Sequence, residues 1–220
     1  MELCRLLSVR AGVTSLIGGG GKTSAMYVLA RELRERGTVI CTTTTHIFPP
    51  GHMETAEDPA ALAAALDRRG WACAGSRAGE KLTAPPVSMA ELAALADYVL
   101  VEADGSRGLP VKAHLPHEPV IPPESGQTIV LAGASAFGRP AVEAVHRLER
   151  FCRLTGAAPD APVTARTLAA ALKGEGLGDK VFINQAETPA AMAEARRLAE
   201  ELPWPVFAGS LQGGFWICLS

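Results

Sequence analysis

The stretch VTSLIGGGGKTSAMYVL, residues 13–29, joins an apolar strand pattern to four consecutive glycines, a Lys-Thr pair and the start of an amphipathic helix pattern. A strand, a glycine-rich loop and a helix in this order form the phosphate-binding unit of P-loop folds. The usual spacing, G-x-x-x-x-G-K-[ST], places a glycine six residues before the lysine, where this chain has Leu16. The stretch is therefore either a shortened phosphate loop or a glycine-rich turn.

The chemistry of the loop favours phosphate binding. Glycines have no Cβ atom, so the backbone N–H groups of 18–21 can point at an anion beside a helix N-terminus. Lys22 would reach the β- and γ-phosphates, and the hydroxyl of Thr23 would coordinate Mg²⁺. A dinucleotide loop, G-x-G-x-x-G, is a weaker interpretation because Thr23 stands at its third glycine. The predicted nucleotide-binding residues here are Gly18, Gly19, Gly20, Gly21, Lys22, Thr23 and Ser24.

Apolar runs alternate with helical patterns along all 220 residues, which indicates repeated βαβ units. We predict strands at 13–17, 38–42, 71–75, 97–103, 128–133, 180–184 and 204–209. We predict helices at 23–37, 59–70, 88–96, 139–151, 164–173 and 189–201. The expected fold is α/β, a mostly parallel β-sheet flanked by helices in a P-loop NTPase-like three-layer sandwich, and residues 1–220 read as a single domain.

The run VLVEADGSRG, residues 99–108, ends a hydrophobic strand in two acids. Glu102 and Asp104 alternate onto the same side of an extended chain. An acid at this place can hold Mg²⁺ or orient an attacking water, as in the second motif of nucleotide-binding folds. It can also cap a helix or form a salt bridge. We predict Lys22, Glu102 and Asp104 as catalytic residues and Thr23 and Asp104 as metal ligands.

The run CTTTTHIFPP, residues 41–50, follows the second predicted strand. Its threonines suit a strand by propensity alone. Since the end of this strand would lie beside the phosphate loop, Thr44, Thr45 and His46 are also candidates for a switch that contacts ligand.

Residues 104–127 contain five prolines and three glycines, which predicts a long, irregular, functional loop. A cation on such a loop can close over an anion, so Lys112, His117 and Glu118 are substrate or switch candidates. Histidines 46, 114 and 117 raise the alternative of a transition-metal site, although their spacing defines no ligand geometry.

The run FINQAE, residues 182–187, follows a predicted strand as the base-reading N-K-x-D motif does in GTP-binding proteins. Gln185 stands at the lysine position and Glu187 at the aspartate position. Asn184 and Glu187 are predicted to contact the base, with an ordinary helix cap as the alternative.

Charge and composition narrow the range of partners. The net charge of −2 gives no general basic field for nucleic acid or an anionic membrane, so we expect neither partner. The first ten residues lack the apolar run of a signal peptide, and no stretch reaches 18 apolar residues. The five cysteines include no C-x-x-C pair. This favours a reducing, cytoplasmic location.

Taken together, SLIGGGGKTS, CTTTTHI, VEADGSRGLPVKA, HEPVIPP, INQ and VFAGSLQGG resemble the YqeC-type family, described as accessory proteins of selenium-dependent hydroxylases. The family's GGKT, TTTH and EADG map onto 20–23, 43–46 and 102–105. The resemblance implies a P-loop NTPase-like fold and association with a molybdenum hydroxylase or its cofactor. The loop is also similar to the G-x-x-G-K-T loop of Mur-type ligases, which bind ATP without the earlier glycine.

The resulting hypothesis is a nucleoside-triphosphate-binding protein that uses Mg²⁺ with ATP or GTP. It would be a slow NTPase that assists maturation of a selenium-dependent molybdenum hydroxylase. Two alternatives stay open: an NTP-using transferase that acts on a cofactor or selenium species, and a nucleotide-gated metallochaperone or binding module without catalysis.

Overall fold

A computed structural model describes residues 1–50 and 52–220. The strands in these residues are β1 (Gly12–Gly18), β2 (Val39–Thr43), β3 (His46–Ile47), β4 (Thr55–Ala56), β5 (Trp71–Ala74), β6 (Ser76–Ala78), β7 (Lys81–Thr83), β8 (Tyr98–Glu102), β9 (Val111–Lys112), β10 (Ser125–Gly133), β11 (Val145–His146), β12 (Lys180–Asn184), β13 (Val206–Ser210) and β14 (Phe215–Cys218).

The helices are α1 (Leu3–Leu6), α2 (Lys22–Leu33), α3 (Pro59–Arg69), α4 (Met89–Leu95), α5 (Ala141–Ala144), α6 (Leu148–Thr155), α7 (Ala165–Glu175) and α8 (Pro189–Glu201), with a 3₁₀ turn at Ala134–Ala136. Most of the longer described strands run parallel to their neighbours, and helices alternate with them along the chain. The predicted α/β class is confirmed.

The chain forms two compact units. The first unit comprises Met1–Leu16, Thr23–Gly105 and Val120–Gln127, and the second comprises Ile17–Lys22, Ser106–Pro119 and Thr128–Ser220. The single domain predicted over 1–220 stays a prediction.

In the first unit, parallel strands follow the order β1, β8, β2, β5, β4. The apolar residues of β8 are buried, as expected of a strand with neighbours on both sides. The register places Glu102 opposite Leu16 of β1 and Thr43 of β2. The carboxyl ends of three strands therefore meet at Glu102. A small antiparallel sheet, in the order β3, β7, β6, is also part of this unit.

In the second unit, β10, β12 and β13 run parallel, and β14 pairs antiparallel with β13. A separate short parallel ladder joins β9 to β11, with His146 opposite Lys112. The sequence does not indicate this ladder, because each strand has only two residues.

Three predicted elements differ from the structure. The helix predicted over 139–151 is divided into α5, β11 and α6, because β11 pairs with β9 and Arg147 adopts a left-handed backbone with φ 64°. The helix predicted over 23–37 ends at Leu33. Residues 104–127 are not wholly irregular, since they contain β9 and the start of β10.

The N–H of Gly37 donates to the carbonyl of Leu33 at the end of α2, and the absence of a side chain here has a second role. A Cβ atom at this position would lie 2.6 Å from a carboxylate oxygen of Asp97. The same oxygen accepts hydrogen bonds from the backbone N–H and the hydroxyl of Thr38. A larger residue at position 37 would therefore displace the Asp97 carboxylate from Thr38.

Across residues 1–50 and 52–220, no helix combines the length and the apolar character needed to cross a membrane.

Replacing Leu100 tests the central position of β8. Leu100 is fully buried, so Leu100→Ala should lower the free energy of unfolding by about 2 to 5 kcal/mol, measured by urea denaturation. Val142→Ala is the control, because Val142 is 55% exposed and its truncation should cost less than about 0.5 kcal/mol. Equal losses in the two variants would contradict this placement of β8.

Candidate functional site

The glycine loop of the second unit is fastened to the protein's own backbone. The N–H of Gly19 donates to the carbonyl of Leu131 at 2.9 Å, and the N–H of Gly20 donates to the carbonyl of Leu109 at 3.3 Å. The N–H groups of Gly19 and Gly20, which were expected to bind phosphate, thus already donate to backbone carbonyls of the protein. Phosphate binding would fall to the end of the loop and the first turn of α2, where helix N–H groups have no acceptor within the helix.

Close packing is a second reason for the glycines. A Cβ atom on Gly18 would lie 2.3 Å from the carbonyl oxygen of Leu131, and one on Gly20 would lie 2.2 Å from the backbone nitrogen of Gly133. Both glycines also have positive φ, of 94° and 69°. Any larger residue would collide with backbone atoms, which side-chain rearrangement cannot relieve. The four-glycine pattern thus reflects how the loop packs as well as what it could bind.

Asn184 braces this loop. Its Nδ2 donates to the carbonyl of Gly20 at 2.7 Å, and its Oδ1 accepts from the N–H of Leu211 at 3.0 Å. A Cβ atom on Gly21 would lie 2.7 Å from the same Nδ2. Both ends of the side-chain amide therefore bind backbone. This arrangement favours a structural role for Asn184 over the predicted reading of a base.

Lys22 folds back onto the loop that precedes it. Its Nζ donates to the carbonyl of Gly18 at 2.6 Å, and the residue is buried. The ammonium group thus binds the carbonyl of the loop's first glycine.

In the first unit, the residue after this lysine meets the acid at the end of β8. The Thr23 hydroxyl donates to Oε2 of Glu102 at 2.7 Å. Glu102 is only 6% exposed, and Asp104, two residues further along, is 1% exposed. Buried carboxylates require compensating partners, because desolvation penalises their charge. Threonine and acid, predicted from two separate motifs, are therefore in direct contact.

The neighbouring strand fixes the backbone at Glu102. The carbonyl of Glu102 accepts from the Thr43 hydroxyl at 2.8 Å and from the Thr44 N–H at 3.2 Å. Sequence reasoning missed Thr43 as a positioning residue. The feature that identifies Thr43 is its position at the end of β2, directly opposite Glu102 at the end of β8.

The threonine-rich segment otherwise satisfies polar groups of the protein. The Thr44 hydroxyl donates to the carbonyl of Val120 at 2.9 Å, and the N–H of Thr45 donates to the Thr43 hydroxyl at 2.9 Å. His46 is exposed on β3. Ligand contact by Thr44, Thr45 and His46 stays a prediction.

The Thr23 hydroxyl and the Glu102 carboxyl group lie 2.7 Å apart because they share a hydrogen bond. Both are oxygen groups, the ligand type that magnesium takes in proteins. A magnesium site at this pair stays a prediction. Within the described part of the chain, no cluster of three or more His, Cys, Asp or Glu side chains could hold a metal. Magnesium is commonly bound by one or two carboxylates together with substrate phosphates.

In the second unit, Glu118 joins two cations. Its Oε2 accepts from Lys112 Nζ and its Oε1 from Arg147 Nε, both at 2.6 Å. Burial alone would raise the pKa of Glu118, but the hydrogen bonds and charges of Lys112 and Arg147 outweigh burial and lower this pKa. Lys112, expected to act from a mobile loop, lies buried in the β9 ladder.

The loop histidines have separate surroundings. His114 is buried, and its Nδ1 lies 2.8 Å from a carboxylate oxygen of Glu175, while its backbone N–H donates to the other oxygen of that carboxylate. His117 is exposed. A role of His117 in substrate contact stays a prediction.

Glu187 lines a cavity of the second unit of about 570 Å³, together with Ser135 and Gln185. The hydroxyl of Ser135 donates to Oε1 of Gln185 at 2.6 Å, and Gln185 adopts a positive φ of 64°. The cavity is large enough for a nucleobase. It keeps Glu187 as the candidate base contact.

Comparison with known proteins identifies the protein family of this chain. Residues 14–149 match the family described as YqeC protein. The chain belongs to the YqeC family. It is 37% identical over 175 residues to a protein of Escherichia coli strain K12 named "Uncharacterized protein YqeC", covering 74% of this chain and 68% of the relative. The YqeC match includes the glycine loop, the threonine-rich segment, both acids and Glu118.

Removing the Asn184 brace should destabilise this YqeC-family chain. Asn184→Ala leaves the Gly20 carbonyl and the Leu211 N–H without their shared partner, and we expect unfolding to become easier by about 2 to 4 kcal/mol in urea titration. Glu187→Gln, an exposed neighbour, serves as the control and should change stability by less than about 0.5 kcal/mol. If Asn184→Ala altered only the preference between ATP and GTP, the structural role would be wrong.

The charge on Glu118 should make stability depend on pH. The pKa of Glu118 is lower in the folded chain than its ordinary value of 4.5. Ionised Glu118 therefore contributes fully to the free energy of unfolding above pH 4.5, and this contribution is lost as the pH falls towards the pKa of the folded chain. Glu118→Gln should therefore be less stable than the native chain at pH 7, and the gap should shrink below about pH 4.5. Glu124→Gln, at an exposed position, should show no such trend. A gap that stayed constant down to pH 3 would contradict the role of the charge.

Proposed function

We propose that this protein binds a nucleoside triphosphate with Mg²⁺ and hydrolyses it slowly. The observation that carries the proposal is the hydrogen bond between Thr23 and Glu102. Thr23 directly follows Lys22, at the point where the glycine loop ends and α2 begins. Lys22, which would bind phosphate, is therefore next in the chain to Thr23, whose hydroxyl would bind the metal together with Glu102.

The positively charged and N–H groups would bind the phosphates, and the oxygen groups would bind the metal. Lys22 and the amides at the start of α2 would hold phosphate oxygens. Thr23 and Glu102 would hold Mg²⁺, which neutralises charge that develops on the transferred phosphoryl group. The sequence suggests Asp104 for the metal and Glu102 for the attacking water. The contact with Thr23 favours the reverse assignment, with Asp104 as the residue that orients water.

ATP and GTP are both retained as candidate nucleotides. Asn184 is occupied in holding the loop, so base selection would fall to Glu187 and the cavity it lines. A carboxylate can accept from the N–H groups of guanine, and this favours GTP if the cavity receives the base.

The biological setting follows from the family resemblance. We propose that the protein acts in the cytoplasm and assists maturation of a selenium-dependent molybdenum hydroxylase. Cells that lack the protein should contain the hydroxylase with reduced activity, and the native chain should restore this activity whereas Lys22→Ala should not. Full rescue by Lys22→Ala would separate the accessory role from nucleotide binding.

Calorimetry with MgATP and MgGTP tests nucleotide binding. Lys22→Ala should weaken binding by about 10- to 100-fold, because a charge-assisted hydrogen bond is worth roughly 1.5 to 3 kcal/mol. Lys81→Ala removes an exposed lysine of β7 and should leave the affinity unchanged. Thr23→Ala should abolish the gain in affinity that Mg²⁺ gives over EDTA. Absence of binding by either nucleotide, or unchanged affinity in Lys22→Ala, would overturn the proposal.

Product analysis then separates the reactions. Release of phosphate alone supports hydrolysis. Release of pyrophosphate, or a modified acceptor, would contradict a simple hydrolase and support the transferase alternative.

A further inference from the structure

A basic cavity lies in the second unit, and none of the residues that line it is assigned above to nucleotide or metal. Its volume is about 440 Å³, within the usual range for small-molecule sites. Four arginines and one histidine line it beside a single acid, Glu149. The whole chain has a net charge of −2, so this concentration of positive charge is local. The basic lining residues are Arg107, His146, Arg147, Arg150 and Arg153.

Hydrogen bonds hold two of the arginines in place. Arg147 Nε donates to Glu118, which also accepts from Lys112, so one carboxylate faces two cations. Arg150 Nε donates to the carbonyl of His114 at 3.2 Å. A guanidinium has five N–H donors, and each of these bonds uses one of them. The terminal nitrogens of both side chains lie outside these bonds.

The backbone at two of the lining arginines is strained. Arg107 has φ 53° and Arg147 has φ 64°, two of the four non-glycine residues with positive φ in the described chain. A left-handed backbone is unfavourable for a residue with a side chain. Such strain persists where the surroundings impose it, and it is concentrated at functional sites.

The pKa of His146 is consistent with a positive field in the cavity. Burial lowers this pKa, and the charges of Lys112, Arg147 and Arg107 lower it further against the opposing effect of Glu118. At neutral pH the imidazole is therefore uncharged. An anion in the cavity would favour its protonation.

We propose that this cavity binds a small molecule with one or two phosphoryl groups. Arginine suits this chemistry because its planar fork pairs with phosphate through two hydrogen bonds. A concave site of this size favours a small molecule over a polymer, and the negative net charge offers no general attraction for a nucleic acid.

The cavity and the glycine loop share one segment of the second unit. The carbonyl of Leu109 accepts from Gly20, and Lys112, three residues later, pairs with His146. Three residues span no more than about 11 Å. A ligand in the cavity would therefore lie near the phosphate loop, as the transferase alternative requires of a second substrate. Binding in the cavity does not depend on the proposed nucleotide site.

Titration of inorganic pyrophosphate and inorganic phosphate, by calorimetry at constant ionic strength, tests the proposal. The parent protein is Lys22→Ala, in which the phosphate loop has lost its lysine. We expect this parent to bind pyrophosphate, and Arg107→Gln with Arg153→Gln to weaken binding by about tenfold or more. The matched control, Arg139→Gln with Arg166→Gln, removes the same charge at exposed positions outside the cavity lining and should leave binding unchanged.

Several outcomes would overturn the proposal. They are absence of pyrophosphate binding by the parent, equal weakening in the control, and citrate binding as tight as pyrophosphate binding. NMR titration of His146 gives an independent measurement that does not rely on the arginine variants: pyrophosphate should raise its pKa, and an unchanged pKa would count against a ligand in this cavity. Loss of nucleotide binding in Lys22→Ala bears only on the proposed function, so the two failures are distinguishable.

Discussion

The buried carboxylate of Glu102 is the constraint on which the proposed metal site depends. A buried carboxyl group requires polar partners, and the fold supplies them from two directions. The side chain accepts from Thr23 at the start of α2, and the carbonyl accepts from Thr43 and Thr44 at the end of β2. The acid thus links β8 to the helix that follows the glycine loop. A change in any of these elements would move the oxygens of the proposed metal site.

The glycine loop shows why a motif alone is ambiguous. Gly18 and Gly20 approach backbone atoms so closely that no side chain would fit, and two loop amides bind carbonyls of the protein. The same glycine-rich sequence could therefore arise from packing requirements alone. The hydrogen bond from the Thr23 hydroxyl to a buried acid on another strand favours the phosphate-loop interpretation, which stays a proposal. The absent glycine at position 16 matters less than that contact.

The sequence predicts the seven longest parallel-sheet segments well, because buried strands read as continuous apolar runs bounded by turn residues. It predicts the Thr23–Glu102 relationship only as two separate motifs. It does not predict the β9–β11 ladder, the interrupted helix at 139–151 or the bracing role of Asn184. These features depend on contacts between residues far apart in the chain, and local propensity contains no information about them. The basic cavity was missed for the same reason, since Arg107 is distant in sequence from 146–153.

Lys112 shows how such long-range contacts change a functional interpretation. A lysine in a proline-rich segment suggests a cation on a moving loop, but here the ammonium is buried in a short ladder and bound to Glu118. The same carboxylate holds Arg147, so Lys112 acts on that arginine through a shared acid. Cations fixed in this way lose little conformational entropy when an anion arrives, whereas a mobile loop must first be ordered. The proposed recognition of an anion in this unit would therefore rest on a preorganised group of charges.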